Sequence, residues 1–321
     1  MKRKYLIIVN PISGTANKRK LAETVRNMLI ENGLDAQIAE TERPGHAFEL
    51  AKRAAEEYAE AVVAIGGDGT VNEIASAIVE TPTKLGIIPS GSGNGLARHL
   101  GLPLDPLEAL KVILNGNSIY CDYASANGRP YFCTFGVGFD ARVSHAFAKC
   151  KRRGKFAYLR VILRESKTFQ PSTYRVTTPE AQFTREAIIL AVCNSSQYGN
   201  NAFIAPHATL TDGLLDITVV NTANPLELVR NSFELFTGLI TSNERFDTKQ
   251  APWATIECSH EMEAHIDGEP VIFPKKIELK CHPKGLQVFC IGEPEFKPFI
   301  TPIAGTMQDI QQALAKPFQN L

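Results

Sequence analysis

The sequence predicts an α/β domain built on a parallel sheet, followed by a β-rich antiparallel sandwich domain. The first third of the chain alternates fully apolar strands with amphipathic helices, which is the pattern of βαβ units. Short runs of strand composition dominate from there to about residue 295. The length of 321 residues and the 44% hydrophobic content suit two domains with sizeable cores.

The elements of the first domain follow from their apolar patterns. Strands are predicted over Tyr5–Val9, Ala36–Glu40, Ala61–Ile65 and Leu85–Ile88. Helices fill the intervals, and the first of them ends at Gly33, a residue type that closes helices. We place the domains at residues 1–123 and 124–296, with a tail at 297–321 that we expect to pack back on the first domain.

Charge and cysteine usage exclude several classes of protein. The chain has 34 Lys+Arg and 34 Asp+Glu, and this balance argues against a nucleic-acid partner. Its 7 cysteines are scattered and form no CxxC pair, which favours a reducing, cytoplasmic compartment over a disulfide framework or zinc site. No apolar stretch reaches the roughly 18 residues that a transmembrane helix needs.

Three glycine-rich loops each follow an apolar strand and precede a helix: Asn10–Gly14, Gly66–Thr70 and Gly91–Gly95. Parallel strands place such loops at one carboxyl edge of the sheet, where doubly wound folds bind ligands. Glycine backbones and helix N-termini suit a polyphosphate, although turn geometry alone explains any single loop equally well. The loops match neither the P-loop motif GxxxxGK[ST] nor the dinucleotide-binding motif GxGxxG. The sequence therefore predicts a phosphate-binding site of another type.

Asp68 lies inside the second glycine loop. A carboxylate beside phosphates repels them unless a divalent cation bridges the two. The position therefore predicts Mg²⁺ or a proton-transfer role. Helix capping by Asp68 is the alternative, but Thr70 is closer to the predicted helix start and is the better cap.

An ordered set of motifs extends along most of the chain. It comprises Asn10–Gly14, Gly66–Thr70, Pro89–Asn94, Gly136–Asp140, Ala205–Pro206, Thr211–Asp216 and Asp267–Glu269. The set resembles the diacylglycerol kinase catalytic-domain family, which includes bacterial lipid kinases and the sphingosine and ceramide kinases. The resemblance implies a Rossmann-like first domain of the NAD kinase and phosphofructokinase type that binds ATP. It also implies a β-rich second domain, with the lipid headgroup entering between the two.

The resemblance further implies roles for individual residues. Glu269 would be the general base for the lipid hydroxyl, and Asp68 and Asp122 would belong to a carboxylate and water network holding the catalytic Mg²⁺. A second, structural Mg²⁺ would sit on Asp212 and on backbone carbonyls of Thr209 and Leu214. The residues implied to contact ATP are Asn10, Pro11, Ile12, Ser13, Gly14, Thr41, Gly66, Gly67, Asp68, Gly69, Thr70, Val71, Asn72 and Ser92.

One position departs from the family pattern. Gly95 stands where many bacterial diacylglycerol kinases carry an acid. The sphingosine kinases also lack that acid, so Gly95 moves the expected substrate toward a sphingoid-type lipid. We expect an ATP-dependent lipid kinase acting on diacylglycerol or such a lipid. An NAD-kinase-like phosphotransferase and a non-catalytic nucleotide- or lipid-binding regulator stay open as alternatives, as does a homodimer.

The segment Lys149–Lys167 interleaves basic residues with aromatic and aliphatic ones. This composition suits anionic headgroups, so we expect a peripheral contact with the inner face of the membrane. A solvated helix packed on the second domain is the alternative interpretation.

Overall fold

The computed structural model describes residues 3–11, 18–150, 155–199, 202–221 and 246–292. Within these ranges, two β-sheets of ten and six strands carry seven helices. Three predicted features lie partly or wholly outside the described residues: Ile12, Ser13 and Gly14 of the first loop, residues 151–154 of the basic segment, and the tail at 297–321.

Four parallel strands form the first domain's sheet, as the sequence predicts. The strands are β1 (Lys4–Val9), β2 (Asp35–Glu40), β3 (Ala61–Gly66) and β4 (Lys84–Pro89). The helices are α1 (Lys18–Glu31), α2 (His46–Glu56), α3 (Asp68–Ile78), α4 (Gly95–His99) and α5 (Pro106–Asn115). The order across the sheet is β2-β1-β3-β4, and each neighbouring pair is parallel.

Helices cover both faces of this sheet, which explains why β3 is apolar throughout. Val63 and Ile65 pack in one core with residues of α1 and α5. Val62 and Ala64 point the other way and pack with residues of α2 and α3. Successive side chains of a strand alternate between its faces, so a strand buried on both sides has no polar position.

Twelve strands follow in the described part of the second domain. They are β5 (Ser118–Ala126), β6 (Arg129–Tyr131), β7 (Thr134–Gly138), β8 (Ser172–Thr177), β9 (Gln182–Ala187), β10 (Ile189–Cys193), β11 (Leu215–Val220), β12 (Phe246–Ala251), β13 (Trp253–Glu257), β14 (Met262–Ile266), β15 (Glu269–Phe273) and β16 (Lys276–Phe289). The six-stranded sheet has the order β12-β11-β10-β7-β14-β15. Its strands are antiparallel to their neighbours.

The predicted sandwich is confirmed by a shared core between the two sheets. Phe135 and Val192 of the six-stranded sheet belong to one buried cluster with Val176, Ile256 and Leu279 of the other sheet. The long strand β16 pairs with β5 and β13, and its Val288 also bridges in parallel to Leu85 of β4. The ten-stranded sheet therefore runs through both domains. The predicted boundary between residues 123 and 124 falls within β5 and remains a prediction.

Two helices, α6 (Phe139–Ala148) and α7 (Lys155–Glu165), pack beside the six-stranded sheet. Val161 and Ile162 of α7 are buried with Phe139 and Ile189. The basic segment thus turns an apolar face inward, while its Lys149, Arg160, Arg164 and Lys167 are exposed. Within the ranges described, no helix is both long enough and apolar enough to cross a bilayer.

His99 at the end of α4 contacts the second domain. Its Nδ1 accepts the backbone N–H of Ser196 at 3.1 Å and lies 2.9 Å from the Ser196 hydroxyl oxygen. Burial lowers the pKa of His99 from 6.5 to about 4, because the charged imidazolium is poorly solvated there.

This pKa predicts a loss of stability in acid. Between pH 6.5 and 4 the unfolded chain binds a proton at His99 that the folded chain does not bind. The free energy of unfolding should therefore fall by up to about 1.4 kcal/mol per pH unit from this residue alone. Urea unfolding at pH 7.5, 6 and 5 should show a shallower pH dependence for His99→Gln. Equal slopes for the variant and the wild type would contradict the assignment.

Candidate active site

The described residues of the three glycine loops meet at the carboxyl edge of the parallel sheet. The backbone N–H of Asn10 donates to the carbonyl of Ile65 at 3.4 Å, and the N–H of Ser90 donates to the carbonyl of Gly66 at 2.9 Å. A β-carbon added to Gly91 would lie 2.5 Å from the Cα of Gly67. The second and third loops therefore touch through bare backbone, which requires glycine at position 91 and leaves little room for a side chain at position 67.

Asp68 joins the second loop to the third. Its Oδ2 accepts the backbone N–H of Asn94 at 2.9 Å, and its Oδ1 accepts that of Gly95 at 2.6 Å. Asn94 is the N-cap of α4, so Asp68 caps a neighbouring helix and not its own. A β-carbon on Gly93 would overlap the Asp68 carboxylate, which explains the glycine there.

Thr70 does not cap α3, contrary to the sequence prediction. The helix begins at Asp68, with Gly67 as its N-cap, and Thr70 is buried in the first turn. The small Gly66 makes room for it, since a β-carbon at Gly66 would lie 2.5 Å from Thr70 Cβ. The helix therefore starts two residues earlier than Thr70, and its first N–H groups open toward the loops.

Asp267 ties the two domains together at this edge. Its carboxylate accepts the backbone N–H groups of Phe132, Cys133 and Thr134 at 3.0, 2.8 and 2.9 Å. It also accepts the side-chain amide of Asn72, on α3, at 2.8 Å. Burial raises the pKa of Asp267 above its ordinary value, although these hydrogen bonds act in the opposite direction.

Glu269 is the first residue of β15 and is exposed. It follows a two-residue hairpin turn, Asp267-Gly268, in which both residues have positive φ, 48° and 84°. The turn directs Glu269 toward the first turn of α3: a β-carbon on Gly69 would lie 3.6 Å from Glu269 Oε1. The proposed base and the second glycine loop, separated by about two hundred residues in sequence, are neighbours in space.

A small cleft, with room for about one water molecule, lies beside these groups. It is lined by Asp68, Val71, Asn72, Leu96, Phe132, Cys133, Tyr198 and Asp267. Asp68, Val71 and Asn72 were expected here from the sequence. Asp267 and Tyr198 were not. The Asp-Gly pair at the turn signals a left-handed backbone at Asp267, but no local pattern marks Tyr198.

Asp122 lies at the base of the loop that carries Asp212. Its side chain is buried, and its two oxygens accept the backbone N–H groups of Gly213 at 2.6 Å and Lys284 at 2.7 Å. Among the described residues, neither a hydrogen bond nor an ion pair links it to Asp68. The structure thus shows a structural role for Asp122, and its catalytic role remains a prediction.

The other predicted site residues are distributed around these two centres. Thr41 is buried, and its N–H donates to the carbonyl of Val9 beside the first loop. Ser92 is exposed in the third loop. Thr209 and Asp212 are exposed on one loop, where Asp212 Oδ1 accepts the N–H of Leu214 at 2.9 Å.

Comparison with known proteins identifies the family. A diacylglycerol kinase catalytic domain model matches residues 4–126, and a YegS C-terminal NAD kinase beta sandwich-like domain model matches residues 133–290. A protein of Chromohalobacter salexigens named "Probable lipid kinase YegS-like" is 31% identical over 272 residues, which cover 83% of this chain and 86% of the relative. The chain belongs to the YegS-like lipid kinase family.

Other family members extend the comparison. The protein of the same name in Klebsiella pneumoniae is 31% identical over 261 residues, covering 80% of this chain and 86% of its own. A Bacillus anthracis structure described as "a putative diacylglycerol kinase" superposes with a TM-score of 0.77 at 25% identity. That alignment covers 90% of this chain and 95% of the other. The resemblance noted in the sequence is confirmed.

Within this kinase fold, the buried contacts of Asp122 predict a stability defect. Asp122→Ala empties a buried position and leaves the part-buried N–H groups of Gly213 and Lys284 without their acceptor, which should lower the free energy of unfolding by about 1 to 3 kcal/mol. Asp122→Asn keeps one acceptor oxygen and should lose less. Urea denaturation of both variants measures the effect. An Asp122→Ala protein with wild-type stability but no phosphoryl transfer would instead favour the metal network.

Proposed function

We propose that the chain is an ATP-dependent lipid kinase that phosphorylates the hydroxyl of diacylglycerol or of a sphingoid-type lipid. The observation that carries the proposal is the position of Glu269, whose carboxylate faces Gly69 at the N-terminus of α3. A carboxylate able to take a proton therefore adjoins the loop best suited to hold phosphates. Membership of a lipid kinase family supports the same reaction class.

The glycine loops fit a nucleoside triphosphate. Gly67 and Gly69 carry no side chains, so phosphate oxygens can approach the main chain of the second loop closely. The first N–H groups of α3 have no intrahelical acceptor and carry the positive end of the helix dipole. These features support ATP as the phosphoryl donor, held by Asn10, by Gly66–Asn72 and by Ser92.

Asp68 fits one ligand position of a divalent cation. Its carboxylate lines the cleft and keeps acceptor capacity beyond the N–H groups of Asn94 and Gly95. Bound Mg²⁺ would neutralise charge on the phosphates. No group of three or more Asp, Glu, His or Cys side chains in the described ranges forms a metal cage. Phosphate oxygens and water would therefore supply most of its ligands.

The proposed reaction assigns one step to each group of the chain. Glu269 takes the proton of the lipid hydroxyl while that oxygen forms a bond to the γ-phosphorus. The bond between the γ-phosphorus and the β–γ bridging oxygen breaks, and ADP leaves. The N–H groups at the start of α3 stabilise the charge on the transferred group. Asp267 keeps the turn before Glu269 in place through its contacts with Asn72 and the second domain.

A second Mg²⁺ at Asp212 is a separate part of the proposal. The Asp212 carboxylate and the carbonyls of Thr209 and Leu214 are oxygen donors of the kind that Mg²⁺ and Ca²⁺ prefer. The loop is tied to the buried Asp122 through the N–H of Gly213. A cation there would hold the loop and would take no part in the chemistry.

The lipid partner requires contact with a membrane surface. Lys149, Arg160, Arg164 and Lys167 are exposed around α7, whose Val161 and Ile162 are buried in the second domain. This arrangement supports electrostatic attraction to anionic headgroups, while deep insertion of the α7 residues buried in that core has no support. We therefore propose peripheral binding at the cytoplasmic face of the membrane.

Removing the proposed base tests the reaction. Glu269→Gln keeps the size of the side chain but removes its proton acceptor, so kcat should fall by about 10² to 10⁴-fold. ATP affinity should change little, because the glycine loops are intact. Phosphate transfer from labelled ATP to diacylglycerol, monoacylglycerol, sphingosine, ceramide or undecaprenol in mixed micelles measures the rate.

Glu261→Gln is the matched control, since Glu261 is an exposed acid shortly before the same hairpin. It should retain the wild-type rate. An unaffected Glu269→Gln enzyme would remove Glu269 from the mechanism. Label transferred to NAD and to no lipid would favour the NAD-kinase-like alternative, and wild-type protein inactive toward every acceptor would favour a regulator.

Neutralising the basic surface tests the membrane contact. The triple change Lys149→Gln, Arg160→Gln and Lys167→Gln should weaken binding to phosphatidylserine-containing vesicles by up to about 100-fold. Lys20→Gln, Lys52→Gln and Arg53→Gln remove the same charge from exposed positions of the first domain and serve as the control. Vesicle cosedimentation measures both. Equal losses in the two triple variants would show a net-charge effect only.

A further inference from the structure

A buried His–Asp pair lies directly beneath the turn that carries Glu269. His265 of β14 is 2% exposed, and its Nε2 lies 3.1 Å from Asp140 Oδ2. The hydroxyl of Tyr198 donates to the same oxygen at 2.9 Å, and the N–H of Ala141 donates to Oδ1 at 2.8 Å. Asp140 thus accepts three hydrogen bonds inside the second domain.

A glycine in the neighbouring strand leaves room for this pair. Gly136 of β7 lies opposite His265 in the sheet register. A β-carbon on Gly136 would overlap Asp140 Oδ2 and lie 2.5 Å from His265 Nε2. The closeness explains the first glycine of the Gly136–Asp140 motif, which the phosphate-binding edge leaves unexplained.

The second ring nitrogen of His265 reaches the turn. The N–H of Gly268 points to His265 Nδ1 at 3.4 Å, so Nδ1 is the acceptor and the proton is on Nε2, facing Asp140. On its other side, the carbonyl of Gly268 accepts the hydroxyl of Ser144. The Asp267 carboxylate anchors the preceding residue, so consecutive peptide groups just before Glu269 are all held.

These contacts form a path across the second domain. Tyr198 lines the cleft, and its hydroxyl donates to the Asp140 carboxylate. The same carboxylate accepts the Nε2–H of His265, and His265 Nδ1 accepts the N–H of Gly268, the residue before Glu269. A buried polar pair seldom adds net stability compared with apolar residues of similar volume. Its value here is orientation, because the imidazole meets the turn at one atom and in one tautomer.

We propose that His265 is a positioning residue that, with Asp140, fixes the Asp267-Gly268 turn and thereby aims the Glu269 carboxylate at the second glycine loop. The kinetic part of this inference rests on the proposed kinase function. The structural part, which concerns the tautomer and the order of the turn, does not.

Two near-isosteric variants separate the two contacts of the ring. His265→Gln places an amide N–H near the Nε2 position and keeps the donor to Asp140, but it loses the acceptor for Gly268. His265→Asn places a carbonyl oxygen near Nδ1 and does the reverse. Both should lower kcat at least tenfold, with KM for ATP within twofold of wild type, since misplacing a catalytic group by about 1 Å can cost 10²-fold.

His145→Gln is the matched control. His145 Nε2 contacts the same hairpin through the carbonyls of Ala264 and Val271, at 3.1 and 3.2 Å, away from the turn. It should leave kcat within twofold, since an amide N–H near the Nε2 position keeps these contacts. In a Glu269→Gln background, His265→Gln should cause no further loss, because its effect acts through Glu269. A full additional loss there, or an unchanged kcat in the single variant, would overturn the proposal.

A readout without turnover keeps the test independent of the kinase assignment. Imidazole ¹⁵N NMR of the whole protein should show His265 protonated at Nε2 only, and a proton at Nδ1 would overturn the proposal. Amide exchange at residues 266–269 should be at least tenfold faster in His265→Gln and unchanged in His145→Gln. If no lipid is phosphorylated but the tautomer and exchange results hold, the proposed function fails and the positioning role stands. Equal exchange in the two variants would refute that role.

Discussion

The hydrogen bonds of the Asp267 carboxylate are the interaction on which the candidate site depends. One side chain satisfies three consecutive backbone N–H groups of the second domain and the amide of Asn72 in the first. Buried donors without an acceptor are costly, so this carboxylate holds the β6–β7 connection, the hairpin turn and α3 in one arrangement. The short distance between Glu269 and the second glycine loop follows from these hydrogen bonds of Asp267.

The second constraint is close backbone packing at the edge of the parallel sheet. Gly67 touches Gly91, and Asp68 reaches over Gly93 to cap α4. Asp68 therefore contributes to the order of the third loop as well as to the polarity of the cleft. A metal role and a capping role, which appear as alternatives in the sequence, are compatible because a carboxylate has acceptor capacity for both.

Sequence patterns predicted the first domain well, because alternation of apolar strands and amphipathic helices is a local signal. The family resemblance implied one site for Asp68, Asn72 and Glu269. The structure brings Asn72 to Asp267 and Glu269 to Gly69, and their roles remain predictions. Sequence patterns misplaced the N-cap of α3 at Thr70, since a glycine N-cap leaves no side-chain signature. Asp122 was expected in a carboxylate and water network with Asp68, which stays a prediction. Its side chain accepts the N–H groups of Gly213 and Lys284, and only the pairing of β16 with β5 brings Lys284 to it. Tyr198 and His265 carry no local pattern that marks them as site neighbours.

The sequence by itself determined the fold class, the three loops at one edge, the family and the residue types available for phosphoryl transfer, because each of these depends on short-range spacing or on ordered motifs. The tertiary structure decided which carboxylates face the cleft and which are structural, how Glu269 meets Gly69, and that His265, Asp140 and Tyr198 form one network. These contacts join residues more than fifty positions apart. They arise from sheet register and from the need to satisfy buried polar groups, and neither can be inferred from a short segment of the sequence.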